Sequence, residues 1–481
     1  RRLNFASELK SMTTLLLAYP SRYIGLIADP LDYVNSRKSS KDIIEELYST
    51  QAERVASFCE IYGNDNDKEN SHLSWAYPMV NDRADDNSWL DRIDNIISKK
   101  DTDTILAKEY LGELRSILDR KQPKLPAFPR KVSSSEIRKQ ARLMVKLSLG
   151  SPAICAYRAL KRYFGTSNDV LSTAFQIGLA FIDLFNKPES IAIVELQYPQ
   201  KSLDYWQKVI QYCIDGNIQA VLDEYIFMLL SEYDNPIEMG NSICNVLSMR
   251  TTNLKVDDSA SFSKKEPEDN DVRHSLRSHY AAAFGVNAKS NQGSEVRATS
   301  IREAFNSPFR PFVLATTSIG QEGLDFHWYC RRIIHWNLPN NPIDFEQREG
   351  RINRFRGKVI RQRVADKYVS MINGKEKPWD RLFELASKDK ELAKFPCDIV
   401  PGWHFDSDGV SIDRIVPLYQ FSMDITRYSE MLKILGLYRL TFGQPRQEEL
   451  AEALESALTP DETEKLLIDL CPLKRMKKNK S

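Results

Sequence analysis

The residues best suited to chemistry lie in one short stretch, "QREGRINR", running from Gln347 to Arg354. On a helix Gln347, Arg351 and Arg354 stand at i, i+4 and i+7 and share one face. Two guanidiniums and an amide on one face form a donor array suited to phosphate oxygens. Gly350 keeps the surface beside Arg351 low, so that a ligand or a facing domain can approach. Upstream, "TTSIGQEGLDF" places Thr317, Ser318, Gly320, Gly323 and Asp325 in a loop after a strand expected to end near Thr316. Its glycines let backbone come close to a ligand. Its hydroxyls can donate to a phosphate, and Asp325 can accept from a sugar hydroxyl or orient an arginine. Each stretch alone has a plain alternative, a solvated basic helix for the first and a capped βα turn for the second.

The elements that must position these groups follow from pattern. "PFVLATTS" and "RRIIHWNLP" are short runs rich in β-formers, each leading into a turn and a helix. Asn341 and Pro342 suit the cap and first turn of the helix that carries Gln347. This βαβ rhythm implies a parallel sheet, to which "DRIVPLYQF" (413–421) adds one more strand. Before it the chain reads mainly as helices. The exceptions are "SIAIVELQ" (190–197), expected as a strand, a proline-spaced linker at 120–131, and an apolar-poor stretch at 255–273 expected as a mobile loop. "HSLRSHYAAAFG" and "EVRATSIREAFNSP" are expected helices. So are "YSEMLKILGLYRLTF" and "RQEELAEALESAL", ahead of the basic tail. The expected fold is α/β, a parallel-sheet lobe at 296–400, with a mainly helical region at 1–295 and a helical region at 401–481.

Composition bounds what such a lobe can do. The 67 basic and 66 acidic residues nearly cancel, so any nucleic-acid affinity must come from local patches. No stretch approaches a membrane span. The seven cysteines are scattered, without CxxC pairs or Cys/His clusters, which fits a reducing cytoplasm and argues against zinc or a disulfide framework. The opening "RRLNFASELKS" has neither an initiator Met nor an apolar signal core and reads like a start in mid-protein.

Taken together, in this order and about 22 residues apart, the two stretches resemble motifs V and VI of the superfamily 2 helicases. Thr317, Gly323 and Asp325 fit the first pattern; Gln347, Gly350, Arg351 and Arg354 fit the second without a gap. The wider wording, with "YRLTFGQPRQEEL" near the end, is similar to large bacterial DEAD/DEAH-type helicase-related proteins. The resemblance implies a RecA-like C-terminal lobe that closes on ATP held by a first lobe. Arg354 would then be the arginine finger, Arg351 its neighbour on the phosphate and Gln347 a nucleotide sensor. Thr317 and Ser318 would hold a nucleic-acid phosphate, and Asp325 would couple that contact to the nucleotide. It further implies DNA as the partner.

The first lobe's signature is missing. Gly-x-x-x-x-Gly-Lys-Ser/Thr does not occur, since the Gly-Lys pairs at 357–358 and 374–375 run into Val and Glu. "QAVLDEYIF" (219–227) imitates a DEAD box but sits on a helical pattern, with Asp223 and Glu224 expected on its exposed face. The expectation is therefore the C-terminal part of an ATP-dependent helicase or translocase. It would supply the finger, while ATP and Mg²⁺ are held by an N-terminal lobe of a longer chain. The rival reading is a non-catalytic scaffold for nucleic acid or protein; a nuclease has no supporting cluster. Six cations, Arg351, Arg354, Arg356, Lys358, Arg361 and Arg363, fall without an intervening acid. The last four either track a phosphate backbone or form a solvated helix end. His327 and His335, near Trp328 and Trp336, are expected to pack against the sheet rather than stack on bases. Arg439, Arg446 and Gln447 have no assigned chemistry.

Overall fold

The computed structural model describes residues 3, 13–36, 38–66, 72–98, 104–121, 128–249, 252–256, 274–278, 300–315, 325–339, 341–372, 377–389, 399–405, 409–459 and a few positions between 462 and 468. The chain divides into two compact units. One comprises Arg1–Asn253 with Val369–Leu382, the other Leu254–Tyr368 with Phe383–Ser481.

The first unit is helical: α1 (Ser40–Tyr62), α2 (Leu73–Asn81), α3 (Trp89–Ser98), α4 (Thr104–Leu118), α5 (Ser134–Gly150), α6 (Pro152–Phe164), α7 (Asn168–Phe185), α8 (Pro188–Gln197), α9 (Tyr205–Asp215), α10 (Ile218–Leu229) and α11 (Pro236–Ser248). Its centre is α7, apolar on nearly every side and correspondingly buried at most positions from Val170 to Phe185. Gly178 lets the chain at Leu17 and Ala18 lie directly on that helix, since a Cβ there would stand 2.6 Å from the Ala18 Cα. The segment 369–382 packs with this unit: Trp379 stacks on Phe227, and Asn35 donates to the Ile372 carbonyl at 3.1 Å.

Three expectations change here. The stretch 190–197 is helix, not strand, because Pro188 at the first helical position and Glu189 in the first turn set a helix start. Those signals outweigh the weak β-preference of its isoleucines and valine. The proline-spaced stretch is no free linker where it is described. Phe128 is buried and stacks on Phe58, and the Asn64 N–H donates to the Phe128 carbonyl. Asp223 lies on a helix as expected, yet it is buried rather than exposed. Arg162 reaches it through Nε at 3.0 Å and Asp29 through a terminal nitrogen at 2.8 Å. Burial pushes the Asp223 carboxyl above its ordinary range, and the neighbouring guanidinium opposes that rise.

A two-stranded sheet pairs β1 (Thr252–Val256) with β2 (His274–Ser278). His274–Ser278 is thus strand where helix was expected, a case of pairing overriding a weak local pattern. The expected loop at 255–273 begins within β1, and its positions 257–273 lie outside the described residues.

In the second unit β3 (Arg332–Ile334) pairs in parallel with β4 (Asp413–Ile415), in register from Arg332 with Asp413 to Ile334 with Ile415. Around it lie α12 (Pro342–Gly350), α13 (Lys358–Tyr368), α15 (Asp424–Thr441) and α16 (Gln447–Ala457). Helix α14 (Pro378–Ser387) begins among the residues of the first unit and ends in the second. The parallel pairing and the two C-terminal helices fall where expected, although the sheet has only two strands among the described residues. Residues 312–315 form no ladder, and Phe312 and Val313 are exposed. Pro311 at the entry removes one backbone donor, and β-preference alone does not make a strand without a partner.

Candidate active-site turn

Helix α12 begins as its sequence dictates, with the Asn341 side chain accepting from the Ile343 N–H at 2.9 Å and Pro342 in the first turn. It stops at Gly350, earlier than the expected face required. Arg351 is its cap, and residues 351–357 form a turn before α13, with Arg356 at φ 51°. Arg351 and Arg354 therefore share a turn rather than a helix face. Among the described residues nothing within 4 Å would meet a Cβ on Gly350.

The described end of the upstream stretch is stitched to this turn through backbone. The Phe326 N–H donates to the Arg351 carbonyl at 2.9 Å, and the Lys358 N–H to the His327 carbonyl at 3.0 Å. Asn306 holds the other side, donating to the Asp325 carbonyl at 2.7 Å and accepting from the Trp328 N–H at 3.4 Å. Asp325 in turn meets the finger candidate. Arg354 Nε lies 3.2 Å from Asp325 Oδ1, both side chains being about two-fifths exposed. The same Nε makes no aligned hydrogen bond among the described residues. The two observations agree if the N–H points past the carboxylate, and the contact is then a Coulombic pair without an aligned bond. Arg351 Nε is also buried without an acceptor among the described residues. Gln347 is exposed. Thr317, Ser318, Gly320 and Gly323 lie outside the described residues.

The side chains of the basic run after the turn engage carbonyls and rings within the fold. Arg361 is fully buried and donates to the Trp328 and Arg356 carbonyls, the latter at 2.8 Å, with its guanidinium over the Tyr329 ring. Arg363 donates to the Val410 and Phe405 carbonyls. Lys358 Nζ donates to the Tyr329 carbonyl at 3.2 Å, and Arg356 lies against the Phe355 and Phe383 rings. Gly402 completes the turn, accepting from the Arg356 N–H at 2.7 Å. A Cβ on Gly402 would come 2.1 Å from the Phe355 ring.

His335 packs as expected, buried and stacked on Phe345 at 4.0 Å, with Nε2 3.3 Å from Glu349 Oε1. Arg414 from β4 forks onto both oxygens of Glu349. Burial works to raise the Glu349 carboxyl, but the bonds from His335 and Arg414 outweigh it and hold it below its ordinary range. His327 moves the other way. Burial, with Arg361 and Arg354 nearby, lowers it to about 4 against the pull of Asp325. Its folded-state value lies below that of the unfolded chain, so the unfolded state takes up the proton first. Stability from this group is present above about pH 6.5 and lost as pH falls towards 4. His327→Asn is expected to flatten the acid limb of the thermal-unfolding midpoint between pH 6.5 and 4. A midpoint whose pH dependence is unchanged contradicts the assignment.

Sequence reasoning missed Asn306, Glu349, Arg414 and Gly402. Asn306 and Gly402 act through backbone contacts that no spacing announces. Glu349 had a visible signal, an acid in the last turn of a helix, where the dipole disfavours it without a cation.

Residues 272–356 match a family model, the helicase conserved C-terminal domain, and that span contains Asp325, Gln347, Gly350, Arg351 and Arg354. The chain carries a helicase C-terminal domain, consistent with superfamily 2. No curated protein and no solved structure matches the chain. Among the described residues no helix is long and apolar enough to cross a membrane.

Proposed function

We propose that this chain supplies the arginine-bearing half of a nucleic-acid-dependent ATPase of the helicase or translocase type, acting on DNA in the cytoplasm. The observation that carries the reading is the turn 351–354. Two arginines stand on one tight turn, each with a buried Nε that lacks an aligned acceptor among the described residues, and Asp325 of the adjoining motif holds one of them. Such guanidiniums fit a phosphate, which offers the acceptors they lack. ATP, with its Mg²⁺ held by a lobe bearing a phosphate loop, would bring a phosphoryl group whose charge spreads in the transition state. Arg354 neutralises that charge, Arg351 orients the group, and Gln347 lies exposed one turn before Arg351 to sense the nucleotide. Gly350 leaves the approach open. Asp325, with Gly323 on the nucleotide side, ties the nucleotide to Thr317 and Ser318, to which we assign the nucleic-acid phosphate. Arg356 lies against the Phe355 and Phe383 rings and Lys358 donates to the Tyr329 carbonyl, and both carry the positive charge of the turn towards the nucleic acid in this reading. The fold around the turn is that of a RecA-like lobe in this reading.

The test is ATP hydrolysis by the full-length natural protein with and without single- and double-stranded DNA. Stimulation by DNA is expected. A protein that binds DNA but hydrolyses no ATP would favour the scaffold reading.

A further inference from the structure

Helix α12 has nine residues, too few to hold its own orientation in water. What fixes it also fixes the arginine turn. The Arg351 N–H donates to the Arg348 carbonyl, and the Ile352 and Asn353 N–H groups donate to the Glu349 carbonyl at 3.1 and 3.2 Å. Any rotation of α12 therefore carries Arg351 with it. Two carboxylates on this helix, Glu346 and Glu349, are held by arginines from two different elements. Arg414 on β4 takes Glu349. Arg439, near the end of α15, takes Glu346: its Nε lies 3.0 Å from Oε1, and a terminal nitrogen contacts the same oxygen. The Arg439–Glu346 pair is partly buried, its side chains 20% and 31% exposed, and spans 93 positions of sequence. Phe345 also meets Tyr428 of α15. The two pairs, one each side of Gln347 and Arg348, are a two-point clamp on α12.

Resting on the reading above, we propose that Arg439 is a positioning residue for the phosphate-facing arginines and that α15 is thereby part of the hydrolytic apparatus. This assigns a role to the "YRLTFGQPRQEEL" segment, in which Arg446 and Gln447 make only local contacts among the described residues. Arg446 is 3.6 Å from Glu449 at the surface, and Gln447 donates to the Tyr438 carbonyl. As a contribution to stability such a pair counts for little. Its leverage is geometric, because a displacement of about 1 Å in a catalytic group can cost on the order of 10²-fold in rate.

The experiment uses the full-length natural protein and three variants: Arg439→Gln, the charge-exchanged Glu346→Arg with Arg439→Glu, and Arg354→Ala. Arg439→Gln is expected to lower kcat by roughly 10- to 100-fold with KM for ATP little changed. The exchanged pair should recover part of that loss. Amide exchange over 342–353 should quicken in Arg439→Gln while 332–334 keeps its protection, a readout that needs no activity. Wild-type kcat and unchanged exchange in Arg439→Gln, with Arg354→Ala inactive, overturn the positioning role alone. An Arg354→Ala variant that hydrolyses ATP normally overturns the function itself.

Discussion

Arg354→Ala is expected to abolish nucleic-acid-stimulated ATP hydrolysis while nucleotide binding survives. Removing an arginine that meets the transferring phosphoryl group costs on the order of 10³- to 10⁵-fold. The structure gives two reasons for a large loss at this position. Among the described residues its Nε has no aligned acceptor, and the side chain is about two-fifths exposed, so a phosphate can reach its terminal nitrogens. Its place is set from several sides, by Asp325 and by the Gly357 N–H, which donates to the Arg354 carbonyl at 2.9 Å. The turn is therefore oriented before nucleotide arrives, and such pre-organisation makes a charge effective in the transition state. Alanine leaves no buried partner stranded, since the Arg354–Asp325 pair is about two-fifths exposed. The variant should fold, and its defect should appear in kcat.

Arg361→Met is expected to have the largest effect on folding in the second unit. This arginine is fully buried and caps the carbonyls of Trp328 and Arg356, one beside each candidate motif. Methionine fills similar space but donates nothing, and each stranded carbonyl costs about 1–3 kcal/mol. The sum, roughly 2–6 kcal/mol, is a large fraction of the stability of an ordinary domain. Thermal or urea unfolding of the purified variant checks it. A loss below about 0.5 kcal/mol, the range of ordinary surface changes, would mean that Arg361 is solvated after all.

These two arginines show where the sequence was informative. Arg354 was legible because its motif is a fixed spacing of chemical types, Gln, Gly, Arg, Arg, and such spacing survives whatever backbone carries it. The structure changed the carrier from a helix face to a turn and left the grouping intact. Arg361, seven positions later, was illegible, since a run of cations looks the same whether its charges meet water or buried carbonyls. Asp223 was misplaced for the same reason: its partner Arg162 lies 61 positions away. Elements followed a similar rule. Helices with caps, such as Asn341 before Pro342, and runs such as Arg332–Ile334 were found, because their signals are local. The stretch 190–197 was read by its β-branched residues against a Pro–Glu helix start, and 274–278 by its local pattern against a pairing with 252–256. Where pairing decided the conformation, the residues alone did not. Thr317, Ser318 and Gly323 lie outside the described residues; the assignment of Thr317 and Ser318 to a nucleic-acid phosphate, and of Gly323 to the nucleotide side, is a proposal from the motif.

The most direct test of the central claim, that Arg354 acts on the transition state of phosphoryl transfer, is a comparison of nucleotide-analogue affinities. In the full-length natural protein, wild type and Arg354→Ala would each be titrated with a ground-state ATP analogue and with ADP plus aluminium fluoride, in the presence of DNA. Complementarity to the transition state predicts that wild type prefers the aluminium fluoride complex and that Arg354→Ala loses that preference while holding the ground-state analogue as before. If Arg354→Ala binds both as wild type does, the arginine does not face the reacting phosphate, and the domain serves as a scaffold.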